Sequence, residues 1–272
     1  MSLNEAPLGK TSDYPDRYSP ELLFPVPRDD NRRRIGLDDG RWPWFGEDVW
    51  QAWELSWLRP GGVPAVAWGE IRVPAASVAL IESKSLKLYL NSLNQTVFSS
   101  IEQMRETIER DLSSASGSAI RVRLFDVDQT MAVTGRPAGF ELVDDIALQD
   151  VGYEYCPEVL SAGGETVTEK LCSHLLKSNC PVTGQPDWGS LLVEYTGPAI
   201  DRASLLRYVV GFRQQQDFHE HCVETVFTDI LRQCRPEVLA VSARYTRRGG
   251  LDINPWRSTL AGEAPSLRLV RQ

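Results

Sequence analysis

The sequence predicts an α+β protein made of two tandem ββααββ modules, with antiparallel sheets and a helical pair on one face of each. Three observations predict this. Each half of the chain carries two strand-like runs, then two helical patterns, then further strand-like runs. Consecutive strands are joined by tight turns, at Pro60-Gly61-Gly62 and at Arg247-Arg248-Gly249-Gly250, which suits antiparallel pairing. The halves agree in the order of their elements and not in their residues.

In chain order, residues 1–35 read as an irregular arm. Tyr14-Pro15, Ser19-Pro20 and Phe24-Pro25-Val26-Pro27 resist regular structure, and Arg32-Arg33-Arg34 reads as a solvated turn. Residues 36–150 form the first module. Trp53, Leu55 and Trp57 alternate with polar residues, and Ala65–Val73 completes a hairpin with them. Leu86, Tyr89, Leu90, Leu93 and Val97 mark one helix face. Ser99 with Glu102 predicts a capping box for the next helix, which carries Ile101, Met104, Ile108 and Leu112. Ala119–Asp126 is strand-like, and 127–165 reads as strands and loops joining the halves.

Residues 151–272 form the second module. Leu171–Leu176 and Gly189–Tyr195 are expected as strands flanking a loop, with Gly197-Pro198 breaking the second. Asp201 is placed to cap a helix carrying Leu205, Leu206, Val209, Val210 and Phe212. A second helix repeats Val223, Val226, Phe227, Ile230, Leu231 and Cys234 on one face. Val238–Tyr245 and the run from Leu251 onward are expected strands.

The totals exclude several classes. With 272 residues and a net charge of −8, the chain has a full core and no basic field for nucleic acid or anionic lipid. No apolar run near the N-terminus reads as a signal peptide or membrane span, so a cytoplasmic protein is expected. The five cysteines are odd in number and lie in the second half, which suits a reducing compartment better than a disulfide framework.

Four stretches could carry chemistry. In Asn179-Cys180-Pro181-Val182-Thr183-Gly184-Gln185-Pro186-Asp187-Trp188, a thiol and a carboxylate stand seven residues apart on a turning loop. Cys180 there is either a covalent nucleophile with Asp187 moving its protons, or a buried structural thiol beside a turn. His219-Glu220-His221-Cys222 opens the last long helix. Glu220 suits the positive end of the helix dipole and could accept from a guanine-like edge, and His219 could donate a proton; alternatively the turn is merely solvated. Glu82-Ser83-Lys84-Ser85 precedes a helix and could hold phosphate, or could be an N-cap region with Ser83 or Ser85 capping. Arg247-Arg248-Gly249-Gly250 is likewise a phosphate grip or a charged turn. Cys180, His219, His221 and Cys222 are zinc-type ligands without a zinc-type spacing, so no metal is expected. Neither a P-loop nor G-x-G-x-x-G after a strand occurs.

Taken together, Glu82-Ser-Lys-Ser-Leu-Lys-Leu-Tyr89, Cys180-Pro-Val-Thr-Gly-Gln-Pro-Asp187, Phe218-His-Glu-His221, Arg247-Arg-Gly-Gly-Leu-Asp-Ile-Asn-Pro-Trp256 and the stretch from Pro43-Trp-Phe-Gly-Glu-Asp48 to Trp57 resemble the NADPH-dependent 7-cyano-7-deazaguanine reductases of queuosine biosynthesis, in their long two-module form. The resemblance implies a tunnelling fold, a homodimer, no direct nucleic-acid partner, and reduction of a nitrile to a primary amine with two NADPH. It implies Cys180 as nucleophile forming a thioimide, Asp187 as proton carrier and His219 as a later proton donor. It implies that Glu82, Ser83, Lys84, His219 and Glu220 bind the deazaguanine, and that Lys84, Ser85, Arg248 and Gly249 meet NADPH. The rival of the same fold is a zinc-dependent GTP cyclohydrolase-like enzyme, whose Cys-Glu-His-His run does not occur here.

Overall fold

A computed structural model describes residues 14–37, 40–129 and 131–272. The part of the expected arm at residues 1–13 lies outside the described residues. The protein is mixed α+β with mainly antiparallel sheets, and it divides into two compact units that interleave in sequence. One comprises the chain up to Asp30, Asp48–Met131 and Arg247–Asp252; the other comprises Asn31–Glu47, Ala132–Thr246 and Ile253–Gln272.

The first half of the chain supplies strands β1 (Pro25–Pro27), β2 (Phe45–Leu58), β3 (Pro64–Pro74), β4 (Ala79–Ile81) and β5 (Arg121–Phe125), with helices α1 (Asp29–Arg34), α2 (Ser83–Ser92) and α3 (Ile101–Ser116). In the first unit β2, β3 and β5 lie side by side, with β3 central. The β2–β3 turn closes with the Arg59 N–H donating to the Val63 carbonyl, and Gly61 and Gly62 both take positive φ there. Trp53 stacks on Trp68, and Trp68 stacks on Phe125, one aromatic per strand. Leu86, Tyr89, Leu93, Met104, Ile108 and Leu112 fill the core under the helices.

Several local expectations need correction. The arm is not irregular throughout: β1 pairs antiparallel with β4, where its prolines cost little because the pair has only two strands. Val97 lies past the end of α2 and is exposed. The cap of α3 is Ser100, one residue later than expected, accepting from the Gln103 N–H, while Gln103 Oε1 takes the Ser99 N–H.

The second half supplies β6 (Val133–Thr134), β7 (Glu141–Leu142), β8 (Ala162–Ser173), β9 (Lys177–Asn179), β10 (Pro186–Ile200), β11 (Val238–Tyr245), β12 (Leu251–Ser258) and β13 (Arg268–Leu269), with α4 (Arg202–Gly211) and α5 (His219–Cys234). In the second unit the strand order is β12-β11-β10-β8-β7, and β10 also forms a hairpin with β9. In chain order β8, β9 and β10 precede α4 and α5, and β11 and β12 follow them. Asp201 caps α4 by accepting from the Ser204 N–H. Gly197-Pro198 does not break β10. The strand absorbs the proline with a register shift at Pro198/Ala199, and a side chain at Gly197 would collide with Pro236.

Helix α5 packs against β11, β10 and β8 and is buried on nearly every side. Its internal charges are therefore paired. Glu224 receives Arg32 through Nη2 at 2.8 Å and Arg257 through Nη2 at 2.9 Å, and all three side chains are at most 1% exposed. The Arg32 guanidinium lies 3.9 Å from the Trp42 ring centroid. The arginine run expected in solvent thus sends its first member inward, drawn by a buried carboxylate. Tyr155 and Tyr208 both donate to Asp229. We predict that Glu224→Ala, which strands two buried guanidinium groups, costs about 3–5 kcal/mol of stability. A urea titration read by tryptophan fluorescence measures it.

Candidate active site

The thiol sits in the β9–β10 hairpin. Its loop, Cys180 to Gln185, closes with the Cys180 N–H donating to the Gln185 carbonyl at 2.9 Å and the Gly184 N–H donating to the Cys180 carbonyl at 3.0 Å. Gly184 takes φ 68°, a conformation that favours glycine. The register opposes Pro186 to Asn179 and Asp187 to Ser178. Because side chains alternate along a ribbon, Cys180, Ser178 and Asp187 share one of its faces. Cys180 is 3% and Asp187 5% exposed.

The residue before the thiol ties this hairpin to the start of α5. Asn179 donates its N–H to the Gln215 carbonyl at 2.8 Å and accepts from the Asp217 N–H at 3.1 Å. Lys177 Nζ braces the same point, donating to Asn179 Oδ1 and to the Arg213 carbonyl, each at 2.7 Å. Two residues after Asp217 comes His219, whose Nε2 lies 3.3 Å from Asp187 Oδ2. Its imidazole stacks flat on Tyr245, with ring centroids 3.8 Å apart and planes 7° apart. Tyr245 faces Gly189 across β10 and β11, and a Cβ there would press the ring at 3.2 Å. Asp187 and Tyr245 therefore fix the His219 ring in orientation and plane. His219 Nδ1 is buried and makes no hydrogen bond among the described residues.

The other polar groups of this turn are also inside. Glu220, His221 and Cys222 are at most 3% exposed, so the turn is not the solvated one that the sequence left open. His221 Nδ1 is 2.9 Å from Asp217 Oδ1, and Arg34 reaches the other oxygen of Asp217 at 3.5 Å. Cys222 lies against Ser178 and Tyr245; burial pushes its thiol well up, and the Asp217 charge adds to this. A thiol held protonated in this way is a packing group and not a nucleophile. Among the described residues, no group of three or more His, Cys, Asp or Glu side chains is placed to hold a metal ion.

Glu82, Ser83, Lys84, Ser85, Arg248 and Gly249 lie in the first unit. Glu82 is fully buried and is itself the N-cap of α2, accepting from the Lys84 N–H at 2.6 Å and the Ser85 N–H at 2.8 Å. The capping role open to Ser83 or Ser85 thus falls to the glutamate. Burial raises the pKa of Glu82, against the opposing effect of these hydrogen bonds. The Ser85 hydroxyl is also inside, donating to the Glu82 carbonyl at 2.7 Å and accepting from the Phe24 N–H at 3.0 Å. Ser83 and Lys84 are half-buried. Arg248 and Leu251 close a tight turn through reciprocal backbone hydrogen bonds, with Gly249 at φ 59° and Gly250 at φ 77°. This turn borders a cleft whose other lining includes Ala52, Glu54, Lys87, Leu90, Asn91 and Asn94.

The family profile described as "Nitrile reductase, 7-cyano-7-deazaguanine-reductase N-term" matches residues 14–124, and that described as "QueF-like protein" matches residues 186–263. A protein of Chromohalobacter salexigens named NADPH-dependent 7-cyano-7-deazaguanine reductase is 53% identical over 100% of this chain and 98% of its own. One of Dechloromonas aromatica with the same name is 53% identical over 98% of this chain and 95% of its own. The chain belongs to the NADPH-dependent 7-cyano-7-deazaguanine reductase family. A crystal structure titled as that of the archaeosine synthase QueF-Like covers 37% of this chain at 16% identity and TM-score 0.32, too slight a likeness to argue from. The two profile matches leave out Cys180, which the full-length relatives span.

The cleft fits part of the family's cofactor. A Cβ at Gly249 would stand 2.7 Å from Lys87 Nζ, and one at Gly250 would stand 2.4 Å from Glu54 Cδ, so the two glycines let the Lys87 and Glu54 side chains lie close over the turn. An ammonium beside exposed backbone suits a phosphate. Tyr245, Asn179 and Lys87 were not singled out in the sequence. Tyr245 ends a strand and could have been found as the last member of the core-facing set Leu239, Val241 and Ala243.

The buried carboxyl of Glu82 gives a pH prediction. Its folded-state pKa lies above its unfolded value, so its contribution favours folding at pH below the unfolded pKa and is lost as pH rises through the folded one. In Glu82→Gln, which keeps a capping oxygen, that part of the pH dependence disappears. Chemical denaturation of both proteins between acid and neutral pH reads the difference.

Proposed function

We propose that this chain reduces the nitrile of 7-cyano-7-deazaguanine to the aminomethyl group, using two molecules of NADPH and a covalent thioimide on Cys180. The observation that carries the mechanism is the sharing of Asp187 between two partners: it stands on the thiol's face of the β9–β10 ribbon, and its Oδ2 is 3.3 Å from His219 Nε2.

The chemistry follows from those positions. The nitrile carbon is electrophilic, and the Cys180 sulfur adds to it while the thiol proton passes through Asp187 to the nitrile nitrogen. The product is a thioimide, with one C–S bond formed and one C≡N π bond used. NADPH, held by Lys84, Arg248 and Gly249, would supply the two hydrides that this carbon takes up, with Cys180 released as the C–S bond breaks between the two additions. Each addition needs a proton at nitrogen. His219 holds one beside Asp187, and the stack with Tyr245 keeps its ring from turning away. Burial of Cys180, Asp187 and His219 keeps bulk water from hydrolysing the thioimide.

Substrate binding is assigned to Glu82, Ser83 and Lys84 of the first unit and to His219 and Glu220 of the second, the carboxylates taking N–H donors of the deazaguanine. Lys84, Arg248 and Gly249 are assigned to NADPH, and Ser85 supports them by holding the α2 turn from inside. The tandem ββααββ arrangement is assigned to the tunnelling fold, and the working form to a homodimer in the cytoplasm, where five free cysteines stay reduced. No helix among the described residues is long and apolar enough to cross a membrane.

The test is turnover of 7-cyano-7-deazaguanine with NADPH, followed by absorbance at the nicotinamide band and by mass analysis of the product. Two NADPH oxidised per amine formed is expected, and His219→Ala should lower kcat by about 10²–10⁴-fold. Failure of the folded wild-type protein to oxidise NADPH in the presence of the nitrile contradicts the proposal.

A further inference from the structure

The cleft in the first unit contains a charge pair that the thiol chemistry does not use. Lys87, Asn91 and Asn94 line it from the side of α2 and the loop after it, and the Gly249-Gly250 turn lines it from the other. Lys87 Nζ stands 3.5 Å from Glu54 Oε2, and these side chains are 36% and 66% exposed. A pair so open to water holds together weakly and can be exchanged for another partner. It also occupies the space directly over the turn, since a Cβ on either glycine would strike Lys87 or Glu54.

The usual anion site nearby is already taken. The first amides of α2, at Lys84 and Ser85, donate to the buried Glu82 carboxylate. A phosphate arriving at this part of the fold must therefore find its charge partner further along the helix. Lys87 is the next cation, one turn on. A phosphomonoester carries close to two negative charges at neutral pH, more than the single charge of Glu54, and so competes well for one exposed ammonium.

We propose that Lys87 binds the 2′-phosphate of NADPH, that Glu54 holds its place until the phosphate displaces it, and that this exchange selects NADPH over NADH. The inference rests on the reading of the chain as an NADPH-dependent reductase. NADH, with a hydroxyl at that position, has nothing to offer Lys87 in place of Glu54. The selection thus compares two anions for one cation.

Titration calorimetry of NADP⁺ and NAD⁺ with the full-length protein tests it. Lys87→Met should weaken NADP⁺ by at least about tenfold, the size of a lost charge-assisted hydrogen bond, and change NAD⁺ less than about twofold. Glu54→Gln should tighten NADP⁺ by up to about fivefold, the size of an exposed ion pair removed from competition. Wild-type protein that binds NADP⁺ while Lys87→Met keeps the same NADP⁺-to-NAD⁺ ratio overturns this inference and leaves the reductase reading standing. Weaker NADP⁺ binding by Glu54→Gln also overturns it. Wild-type protein that binds neither nucleotide removes the cofactor reading and the inference with it.

Discussion

The candidate chemistry depends on a short backbone clasp. Asn179, the residue before the thiol, exchanges hydrogen bonds with Gln215 and Asp217, just ahead of α5. Without that clasp, the Cys180 hairpin and the His219 turn would be two loops free to move apart. With it, Asp187 on the hairpin comes within 3.3 Å of His219 on the helix. Backbone hydrogen bonds of this kind are individually modest, but these two act together with the Lys177 brace and the β9–β10 pairing. Positions are therefore set by main chain and strand register, and side chains add orientation to a frame already fixed.

A second constraint shapes α5. A helix buried on nearly every side is expected to be apolar, yet this one carries Glu224 and Asp229. Both are satisfied by groups that reach it from afar in sequence, Arg32 and Arg257 for one, Tyr155 and Tyr208 for the other. Their pairing spares the unit the desolvation cost of a bare buried charge. At the N-terminal turn the pattern differs. His219 Nδ1 and His221 Nε2 are buried and make no hydrogen bond among the described residues. Groups left in that state are costly unless a ligand or a proton-transfer partner meets them, so they mark where the unit departs from a purely structural logic.

Much of this was legible in the sequence, for reasons that differ by element. The strand Val238–Tyr245 and the helix from His219 have local signals, apolar periodicity and a charged turn, that no distant contact opposes. The Cys180–Asp187 loop was legible because prolines and a glycine punctuate it. What failed was what depends on distant partners. The burial of Arg32 follows from Glu224, 192 residues away. The burial of the His219 turn follows from the strands packed against it. Glu82 was not read as a cap because serine is the commoner capping residue, and only the fold, by burying the glutamate, fixes which residue takes the amides. Gly197-Pro198 carries a strong turn signal that the long pairing of β10 with β8 overrides through a bulge.

The central claim is that Cys180 forms a covalent bond to the nitrile carbon with Asp187 and His219 beside it. The most direct measurement is the intact mass of the protein after mixing with 7-cyano-7-deazaguanine in the absence of NADPH. The account predicts a gain of one substrate mass in the wild-type protein and no gain in Cys180→Ala. An unmodified mass in folded wild-type protein that nevertheless binds the nitrile, or an adduct that persists in Cys180→Ala, would contradict it.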